Sequence, residues 1–597
     1  MCRCCILVYC LAGTASLHAL PPAFYLPDDA VPRKQNVELT IDPSRETFTG
    51  SVSIEVELRK PATVLWLNAK NLTAKDATIT FAGQTHSARL QIAGGEFMGL
   101  ELDTPVGPGP ATLSIQYQGR LDDKGLAGVY RRKLDGNWYV YTTFTPIDAR
   151  RAFPCFDEPR FKNPWEISIR VRRGQRAFSN GRELTETDES GGWKLVRFAV
   201  TEPLPAEVVA FAVGPFDVFQ GGYAGHDTPI RVITAKGRAE DGKAAAQITS
   251  DVLARLEAYT GMPYAFGKLD HLALPEGTFG AVENPGLITY RETGLLIRPG
   301  QETPARTRAI RGLQAHEISH QWFGDLVTQS TWDDVWLSEG VATWLAAKVM
   351  DQDESLEREN LTAVVGRERM MALDGTRRTR PVRVTINDRE AAKNIYNRVV
   401  YDKGAAILLM LEGWLGEDRF RDGLRRYLQE HRFGNASTDD LAGALRAASG
   451  TDPSRVMQWF LDSTGVPQVR GEVRCEKDDD ISLRITKTSP GPLPVCWRAG
   501  PRSSGCNVLD GLSSEIALPV GSACPAWLFL NAGGTGYYRS EWSDDQRLAL
   551  PSLTAAERLT MVYDLRGNKA ESARRVLQEL AGDVQPEIAA AAREALR

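Results

Sequence analysis

The chain has 597 residues, and at about 150 residues per domain this length corresponds to roughly four domains. Charged residues make up 25% and apolar residues 42% of the chain, which excludes an intrinsically disordered or fibrous protein. The net charge of −5 offers no general attraction to nucleic acid or anionic lipid. After residue 20 no apolar run reaches the ~18 residues that a membrane helix needs. We therefore expect a soluble multidomain protein with no nucleic-acid partner and no stable membrane insertion.

The first twenty residues have the pattern of a signal peptide. Arg3 supplies a positive charge, residues 4–12 form an apolar core, and small residues follow as far as Ala19. The alternative is an ordinary buried N-terminal segment. We expect residues 1–20 to be a signal peptide and the protein to be secreted or periplasmic, with a cytoplasmic location as the alternative.

Residues 21–221 are predicted to form an N-terminal antiparallel β domain. Between about residues 35 and 221, short runs such as VELTI, SVSIEVEL and WEISIRV alternate apolar and polar residues at period two. Turn residues separate these runs at regular intervals. Their number and spacing indicate a large β domain.

The pattern changes near residue 240, and residues 222–467 are predicted to form a mainly α-helical domain. Apolar residues recur there at helical spacing. The clearest helical segments are 242–259, 306–324, 340–350, 403–415 and 439–448.

Strand signals return after this helical block. Alternating runs with Gly and Pro punctuation predict a small β-sandwich over residues 468–543. Residues 544–597 are rich in Ala, Leu, Arg and Glu, and they predict a short tail of two or three helices. The expected fold class is therefore a multidomain α+β protein.

Four cysteines lie close together in the predicted β-sandwich: Cys475, Cys496, Cys506 and Cys524. Four cysteines allow three pairings, and one or two disulfides are expected in an oxidising compartment. Four buried free thiols are the alternative. A zinc ribbon is disfavoured because these cysteines contain no C-x-x-C pair.

The pentapeptide His316-Glu317-Ile318-Ser319-His320 is the most informative in the chain. On a helix, residues i and i+4 project from one face, so both imidazoles can reach one metal ion. Glu317 points about 100° away, beside the metal, where a carboxylate can take a proton from water. Gly324 is the expected end of this helix.

A catalytic metal of this type needs a third protein ligand and an open position for water. Glu339 lies nineteen residues after His320 and opens a second amphipathic segment. A glutamate at a helix start is also favoured by the helix dipole alone. Because the HExxH motif precedes it, we interpret Glu339 as the third ligand.

Several motifs together resemble those of the M1 (gluzincin) aminopeptidases. HEISHQWFGDLVT followed by WDDVWLSEG is similar to the family's zinc region, HExxH with eighteen intervening residues and a Glu. GAVEN, residues 280–284, resembles the family's GAMEN exopeptidase motif, and YDKGA, residues 401–405, resembles its Y-x-K-G-A segment. RRAFPCFDEP and NAGGTGYYR also resemble family signatures, so the resemblance covers about residues 35–542.

The resemblance implies a thermolysin-like catalytic domain that binds one Zn²⁺ per chain through His316, His320 and Glu339. Glu317 would then be the general base and Tyr401 the hydrogen-bond donor to the oxyanion. Tyr396, five residues before Tyr401, is the rival donor.

The GAVEN motif implies that substrates are peptides with a free N-terminus. Glu283 would hold the α-ammonium at one residue's distance from the scissile carbonyl. Gly280 and Ala281 would let the backbone approach the substrate closely, and Val282 and Asn284 complete the predicted substrate-binding segment.

The chain departs from the family where the N-terminal domain normally helps to clamp the amine. Thr143 and Thr145 stand where the family typically has T-Q-x-E or T-Q-x-Q. Both are expected to line the substrate site, but they are short and uncharged. Glu283 should therefore carry an unusually large share of amine binding, unless another carboxylate, distant in the sequence, fills the place.

These observations predict a zinc-dependent aminopeptidase, with a monomer favoured. One alternative is the same fold with endopeptidase or epoxide-hydrolase activity. The other is a catalytically dead peptide-binding scaffold, which the complete set of ligands, base and tyrosine argues against.

Overall fold

A computed structural model defines the fold, and it describes residues 20–351, 360–376, 379–475, 481–518 and 524–597. The expected signal peptide, residues 1–20, lies outside the described residues except for Leu20. Within the described ranges no helix is long and apolar enough to cross a bilayer.

The N-terminal domain is built of β-strands that form three sheets. Its strands are β1, Ala30–Thr40; β2, Thr47–Leu58; β3, Ala62–Asn68; β4, Thr73–Phe81; β5, Gln84–Ser87; β6, Arg89–Ala93; β7, Phe97–Val106; β8, Gly109–Arg120; β9, Gly128–Leu134; β10, Asn137–Thr143; β11, Trp165–Arg172; β12, Arg176–Ser179; β13, Glu183–Glu189; β14, Trp193–Phe198; and β15, Phe211–Gly214. The strand orders are β13-β14-β11-β1-β2-β8-β4-β5, β12-β15-β10-β9 and β3-β7-β6.

Period-two alternation explains how these sheets bury one face. Along β11, every second residue from Trp165 to Val171 is buried, and its neighbours are partly exposed. The buried faces enclose one apolar core that includes Trp66, Phe153 and Trp165. The pairs are antiparallel as predicted, apart from β1 and β11, which run parallel.

The catalytic domain begins with a five-stranded sheet. Its strands are β16, Asp217–Ala224; β17, Thr228–Thr234; β18, Leu269–Leu274; β19, Ala281–Val282; and β20, Leu287–Arg291, in the order β16-β17-β18-β20-β19. The predicted boundary after residue 221 falls inside β16, and the pairing of β16 with β17 assigns the whole strand to this sheet. Strand β19, at one edge, pairs only with β20 among the described strands.

Nine helices and a short parallel strand pair complete the described part of the catalytic domain. The helices are α1, Lys243–Thr260; α2, Pro304–Ser319; α3, Trp336–Asp351; α4, Leu361–Asp374; α5, Arg389–Lys393; α6, Gly404–Leu415; α7, Glu417–Glu430; α8, Thr438–Ser449; and α9, Ser454–Asp462. The strands are β21, Thr328–Gln329, and β22, Asn435–Ala436.

Helix α2 is shorter than the sequence predicts. It ends at Ser319, with His320 as its C-cap, and not at Gly324. The chain turns immediately because the backbone N–H of Asp325 donates to the carbonyl of His320 and that of Gly324 to the carbonyl of Val327. Gly324 has φ +131°, which suits glycine in this turn.

The third unit packs a four-stranded sheet and a three-stranded sheet together. Its strands are β23, Gln468–Cys475; β24, Ile481–Lys487; β25, Leu493–Ala499; β26, Ser503–Leu509; β27, Ser513–Ala517; β28, Leu528–Phe529; and β29, Arg539–Ser540, in the orders β27-β24-β23-β29 and β26-β25-β28. The four cysteines form two disulfides, Cys475–Cys524 and Cys496–Cys506.

The tail has three helices, α10, Ala555–Leu565; α11, Glu571–Leu580; and α12, Pro586–Ala595. A capping box of Thr554 and Glu557 starts α10. The tail's apolar residues share one core with Leu361 and Val364 of α4, so the tail packs against the catalytic domain.

Candidate active site

Helices α2 and α3 bring the three predicted metal ligands together. The Nε2 atoms of His316 and His320 are 3.1 Å apart. Oε2 of Glu339 lies 3.3 Å from Nε2 of His316 and 3.4 Å from Nε2 of His320. Three donor atoms from two helices therefore converge on one point.

The spacing of these atoms fits a tetrahedral metal ion. Metal–ligand bonds of about 2.0–2.2 Å place the donors of such a site about 3.3–3.6 Å apart. The observed distances of 3.1, 3.3 and 3.4 Å lie close to that range. Oε2 of Glu339 is also buried without a hydrogen-bond donor among the described residues. A cation at this point would satisfy the buried oxygen.

A serine hydroxyl and a backbone carbonyl orient the imidazole of His320. Nδ1 of His320 lies 2.9 Å from Oγ of Ser338 and 3.2 Å from the carbonyl oxygen of Phe323. A proton on Nδ1 leaves Nε2 free to bind a metal. Burial acts against ionisation of Glu339, but the neighbouring histidines lower its pKa to about 2, so it is a carboxylate.

Glu317 lies beside the three ligands, as its place in the helix predicts. Its side chain is buried, and its Oε2 accepts no hydrogen bond from the described residues. Burial raises the pKa of Glu317 well above its usual range. Such a carboxylate is ready to accept a proton and poorly solvated until it does.

Tyr401 reaches the same point from a third element. It lies in a π-helical turn, Val399–Lys403, that leads into α6. Its ring stacks on the imidazole of His316 at a centroid distance of 5.8 Å. Lys403 anchors the turn, because its ammonium donates to the carbonyl of Ser463 and lies 2.8 Å from the carboxylate of Asp374. Burial raises the pKa of Tyr401 well above its usual range, so the hydroxyl keeps its proton.

Glu283 approaches the metal ligands from the sheet. It follows the edge strand β19, and one oxygen of its carboxylate lies within 4.8 Å of ligand atoms of Glu317 and His320. Gln321 ties this loop to the end of α2, because its amide donates to the carbonyl of Glu283 at 2.7 Å. Burial raises the pKa of Glu283.

These side chains line one cavity of about 370 Å³. The lining includes Thr145, Gly280, Ala281, Val282, Glu283, His316, Glu317, His320, Glu339, Tyr396 and Tyr401. The sequence predicts all of them. Four further lining residues were not predicted: Phe279, Leu313, Thr343 and Asp402. Each is next to a motif or on the predicted helices, but no residue-type signal distinguishes it from a core or surface position.

Two predicted substrate-site residues lie outside the described lining of this cavity. Thr143 is buried in β10, opposite Gly128 of β9. Asn284 is buried, and its amide lies 3.4 Å from the carbonyl of Val282 and from the hydroxyl of Thr289. In this structure Asn284 shapes the loop that carries Glu283.

A second cavity, of about 430 Å³, adjoins the first. The two share His316, Thr343 and Asp402. Apolar side chains of α3, α4 and α6 form much of its wall, including Trp344, Met350, Leu361 and Val365. Glu283 lines the first cavity and is not part of the lining of the second.

Comparison with known proteins agrees with this geometry. Residues 244–460 match the Peptidase family M1 domain, and residues 31–207 match the Peptidase M1 N-terminal domain. The first match contains all three metal ligands, Glu317 and Tyr401, and the second contains both threonines of the altered clamp.

Several curated relatives are similar along most of this chain. Aminopeptidase M1 of Arabidopsis thaliana is 29% identical over 586 residues, covering 90% of this chain and 64% of that protein. Aminopeptidase M1-A of Oryza sativa subsp. japonica is 31% identical, with 90% and 64% covered. For Aminopeptidase 2, mitochondrial, of Saccharomyces cerevisiae the identity is 30%, with 93% and 60% covered.

The chain thus spans less than two thirds of the length of these relatives. The two domain matches are nevertheless consecutive and in the order that the fold requires. They contain the His-His-Glu cluster that could hold a metal ion and the glutamate at the sheet edge. This chain belongs to peptidase family M1.

Proposed function

We propose that the protein is a zinc-dependent aminopeptidase that releases N-terminal residues from peptides. One observation carries the proposal: Glu283 lies within 4.8 Å of Glu317 and His320, in the cavity that also contains the metal ligands. A carboxylate at this place binds the α-ammonium of a peptide only when its first bond is at the reaction centre. The names of the relatives support the same activity.

The edge strand β19 gives the substrate backbone a place to bind. It pairs with β20 on one side only, so a peptide can add as the next strand. A Cβ on Gly280, just before the strand, would meet no atom within 4 Å. Packing within the protein therefore does not require a glycine here, and the space beside Gly280, which lines the cavity, is open.

Zinc bound by His316, His320 and Glu339 would supply Lewis-acid chemistry and lower the pKa of water toward ~7. Glu317 then accepts the proton of the attacking water and passes it to the leaving amine. Tyr401 donates a hydrogen bond to the carbonyl oxygen as that oxygen gains negative charge.

The second cavity is the natural place for the residues that follow the cleaved bond. Glu283 lines only the first cavity, so the amine would bind there and the leaving peptide would extend into the second cavity, past the shared Thr343 and Asp402. Trp344, Met350 and Leu361 make the wall of that cavity apolar. We therefore propose a preference for an apolar residue in the second position of the substrate.

Hydrolysis of leucyl aminomethylcoumarin, compared with its N-acetylated form, tests the proposal. The free amine should be cleaved and the acetylated form should not, because acetylation removes the cation that Glu283 binds. Cleavage of internal bonds in acetylated peptides would favour the endopeptidase. Absence of turnover with zinc bound would favour the epoxide hydrolase or the dead scaffold.

We also propose that the protein is exported. The two disulfides support this location, since such bonds persist in oxidising compartments. Mass spectrometry of the protein recovered from periplasm or medium should find an N-terminus near residue 20. An intact N-terminus on cytoplasmic protein would contradict export.

A further inference from the structure

Glu207 is a buried carboxylate that no sequence motif identifies. It lies in a short turn, residues Ala206–Val208, just before β15, and its exposed fraction is only 5%. Its side-chain hydrogen bond among the described residues is long: the hydroxyl of Tyr396 donates to Oε2 at 3.5 Å. No lysine or arginine of the described chain forms an ion pair with it. A buried carboxylate with so few hydrogen bonds and no ion pair is stable only when it takes up a proton or binds a cation.

Hydrogen bonds hold Glu207 against the substrate cavity. The hydroxyl of Thr145 donates to the carbonyl of Glu207 at 3.3 Å, and both Thr145 and Tyr396 line the cavity. The amide of Asn180 donates at 2.9 Å to the carbonyl of Val208 and at 2.9 Å to that of Pro285. The turn that carries Glu207 is therefore tied to the loop that carries Glu283.

The charges around Glu207 are negative. Burial raises the pKa of Glu207 well above its usual range, and the nearby Glu283 raises it further. More distant contributions come from Asp157, Asp325 and Glu339, and these also raise it. A cation that enters between Glu207 and Glu283 would be stabilised by both, because opposite charges attract strongly in a buried site.

We propose that Glu207 supplies the second negative charge of the subsite that holds the substrate's α-ammonium. This inference rests on the proposed aminopeptidase function. Glu283 lies at the cavity wall, and Glu207 lies behind the hydroxyls of Thr145 and Tyr396. Glu207 is thus a specificity-determining residue that takes the place left by the uncharged Thr145. It comes from a segment 62 residues farther along the chain.

The substitution Glu207→Gln tests this role because it keeps the shape and removes the charge. We expect KM for leucyl aminomethylcoumarin to rise roughly 10-fold to 100-fold, as for the loss of a charge-assisted contact, with a smaller change in kcat. Glu202→Gln, an exposed acid of the same segment, is the matched control and should leave KM unchanged. Thr145→Glu in the Glu207→Gln background should restore part of the affinity.

Inhibitor binding separates a charge role from a merely structural one. Leucine hydroxamate and its deaminated analogue, 4-methylpentanohydroxamate, differ only in the amine. Glu207→Gln should lose most of the wild-type preference for the amine and bind the analogue as before. Equal weakening of both inhibitors, or an unchanged preference, would overturn the inference.

Other results would separate a failure of this inference from a failure of the proposed function. If Glu207→Gln impaired only arginyl and lysyl substrates, Glu207 would serve a basic side chain and the ammonium role would be wrong. An inert wild-type enzyme would contradict the proposed function. An active wild-type enzyme with an unaffected Glu207→Gln variant would contradict this inference alone.

Discussion

Gly340 of α3 and Gly404 of α6 pack against each other with no room for a side chain. A Cβ on either residue would lie 3.0 Å from the Cα of the other. Gly340 follows the metal ligand Glu339, and Gly404 lies three residues after Tyr401. The close contact of the two helices therefore sets the distance between a metal ligand and the proposed oxyanion donor. The same contact explains why the YDKGA segment has a glycine at residue 404, since a larger residue would press on Gly340.

The first prediction follows from this contact. Gly404→Ala should destabilise the fold by about 1–3 kcal/mol, because only backbone atoms oppose the new methyl group and they cannot move alone. The value of kcat/KM should also fall, even at temperatures where the variant is folded. A shift of about 1 Å in a catalytic group can reduce the reaction rate by about 10²-fold. Gly443→Ala, in helix α8 with nothing within 4 Å, is the control and should be neutral or slightly stabilising. Thermal unfolding and kcat/KM measure both effects, and a neutral Gly404→Ala would contradict the argument.

The second prediction concerns the metal. His320→Ala should lose the one zinc ion that we expect per chain, because two remaining ligands do not hold it firmly. His226→Ala, whose side chain is 75% exposed far from the motif in sequence, should keep it. Elemental analysis after dialysis measures the zinc content. Stoichiometric zinc in His320→Ala would show that the ligand assignment is wrong.

The third prediction concerns the base. Glu317→Gln should keep the zinc and reduce kcat by ~10²–10⁴, because the amide preserves the shape but accepts no proton. Glu276→Gln, a 62% exposed acid before the GAVEN motif, serves as the control. Steady-state kinetics on metal-loaded protein decides the matter. More than about a tenth of the wild-type rate in Glu317→Gln would rule out the base role.

The fourth prediction separates the two tyrosines. Tyr401→Phe should lower kcat by ~10²–10³ with little change in KM, since its contact forms mainly in the transition state. Tyr396→Phe should affect KM more than kcat, because its hydroxyl donates to Glu207, the carboxylate proposed to help bind the substrate's amine. The reverse assignment of the two effects would make Tyr396 the oxyanion donor.

The fifth prediction is a pH effect on stability. His271 is fully buried, with Nε2 3.0 Å from the hydroxyl of Thr249, and burial lowers its pKa to about 4. The unfolded chain, with a pKa of about 6.5, takes up this proton first. Its contribution to stability is therefore complete above about pH 6.5 and declines as the pH falls toward 4, by about 2 kcal/mol at pH 5.

Thermal unfolding at pH 7.5 and pH 5 tests this contribution. The drop in unfolding temperature should be smaller in His271→Gln than in the wild type, even if the variant is less stable at both pH values. His226→Gln is the exposed control and should keep the wild-type drop. Equal drops in all three proteins would show that His271 does not titrate as proposed.

Local pattern was sufficient to predict much of this protein. The strands and helices follow from hydrophobic periods of two and 3.6, which depend only on neighbouring residues. The predicted metal site follows for a similar reason, since His316 and His320 are four residues apart on one helical turn and Glu339 lies in the first turn of α3. Even so, the end of α2 and the continuation of strand β16 past residue 221 were not predicted. Both depend on hydrogen bonds to residues that periodicity does not identify.

The proposed amine subsite depends on the tertiary structure. Thr145, Glu207, Glu283 and Tyr396 come from two domains, and no repeat or spacing connects them. From the sequence, Thr145 suggests a weakened clamp and Glu207 looks like any acid near a proline. Only the docking of the β domain on the catalytic sheet, through contacts such as Asn180 to Pro285, places a second carboxylate near Glu283. The burial of Glu207 and the charges around it come from residues that are distant in the sequence. The pattern of neighbouring residues carries no information about either property.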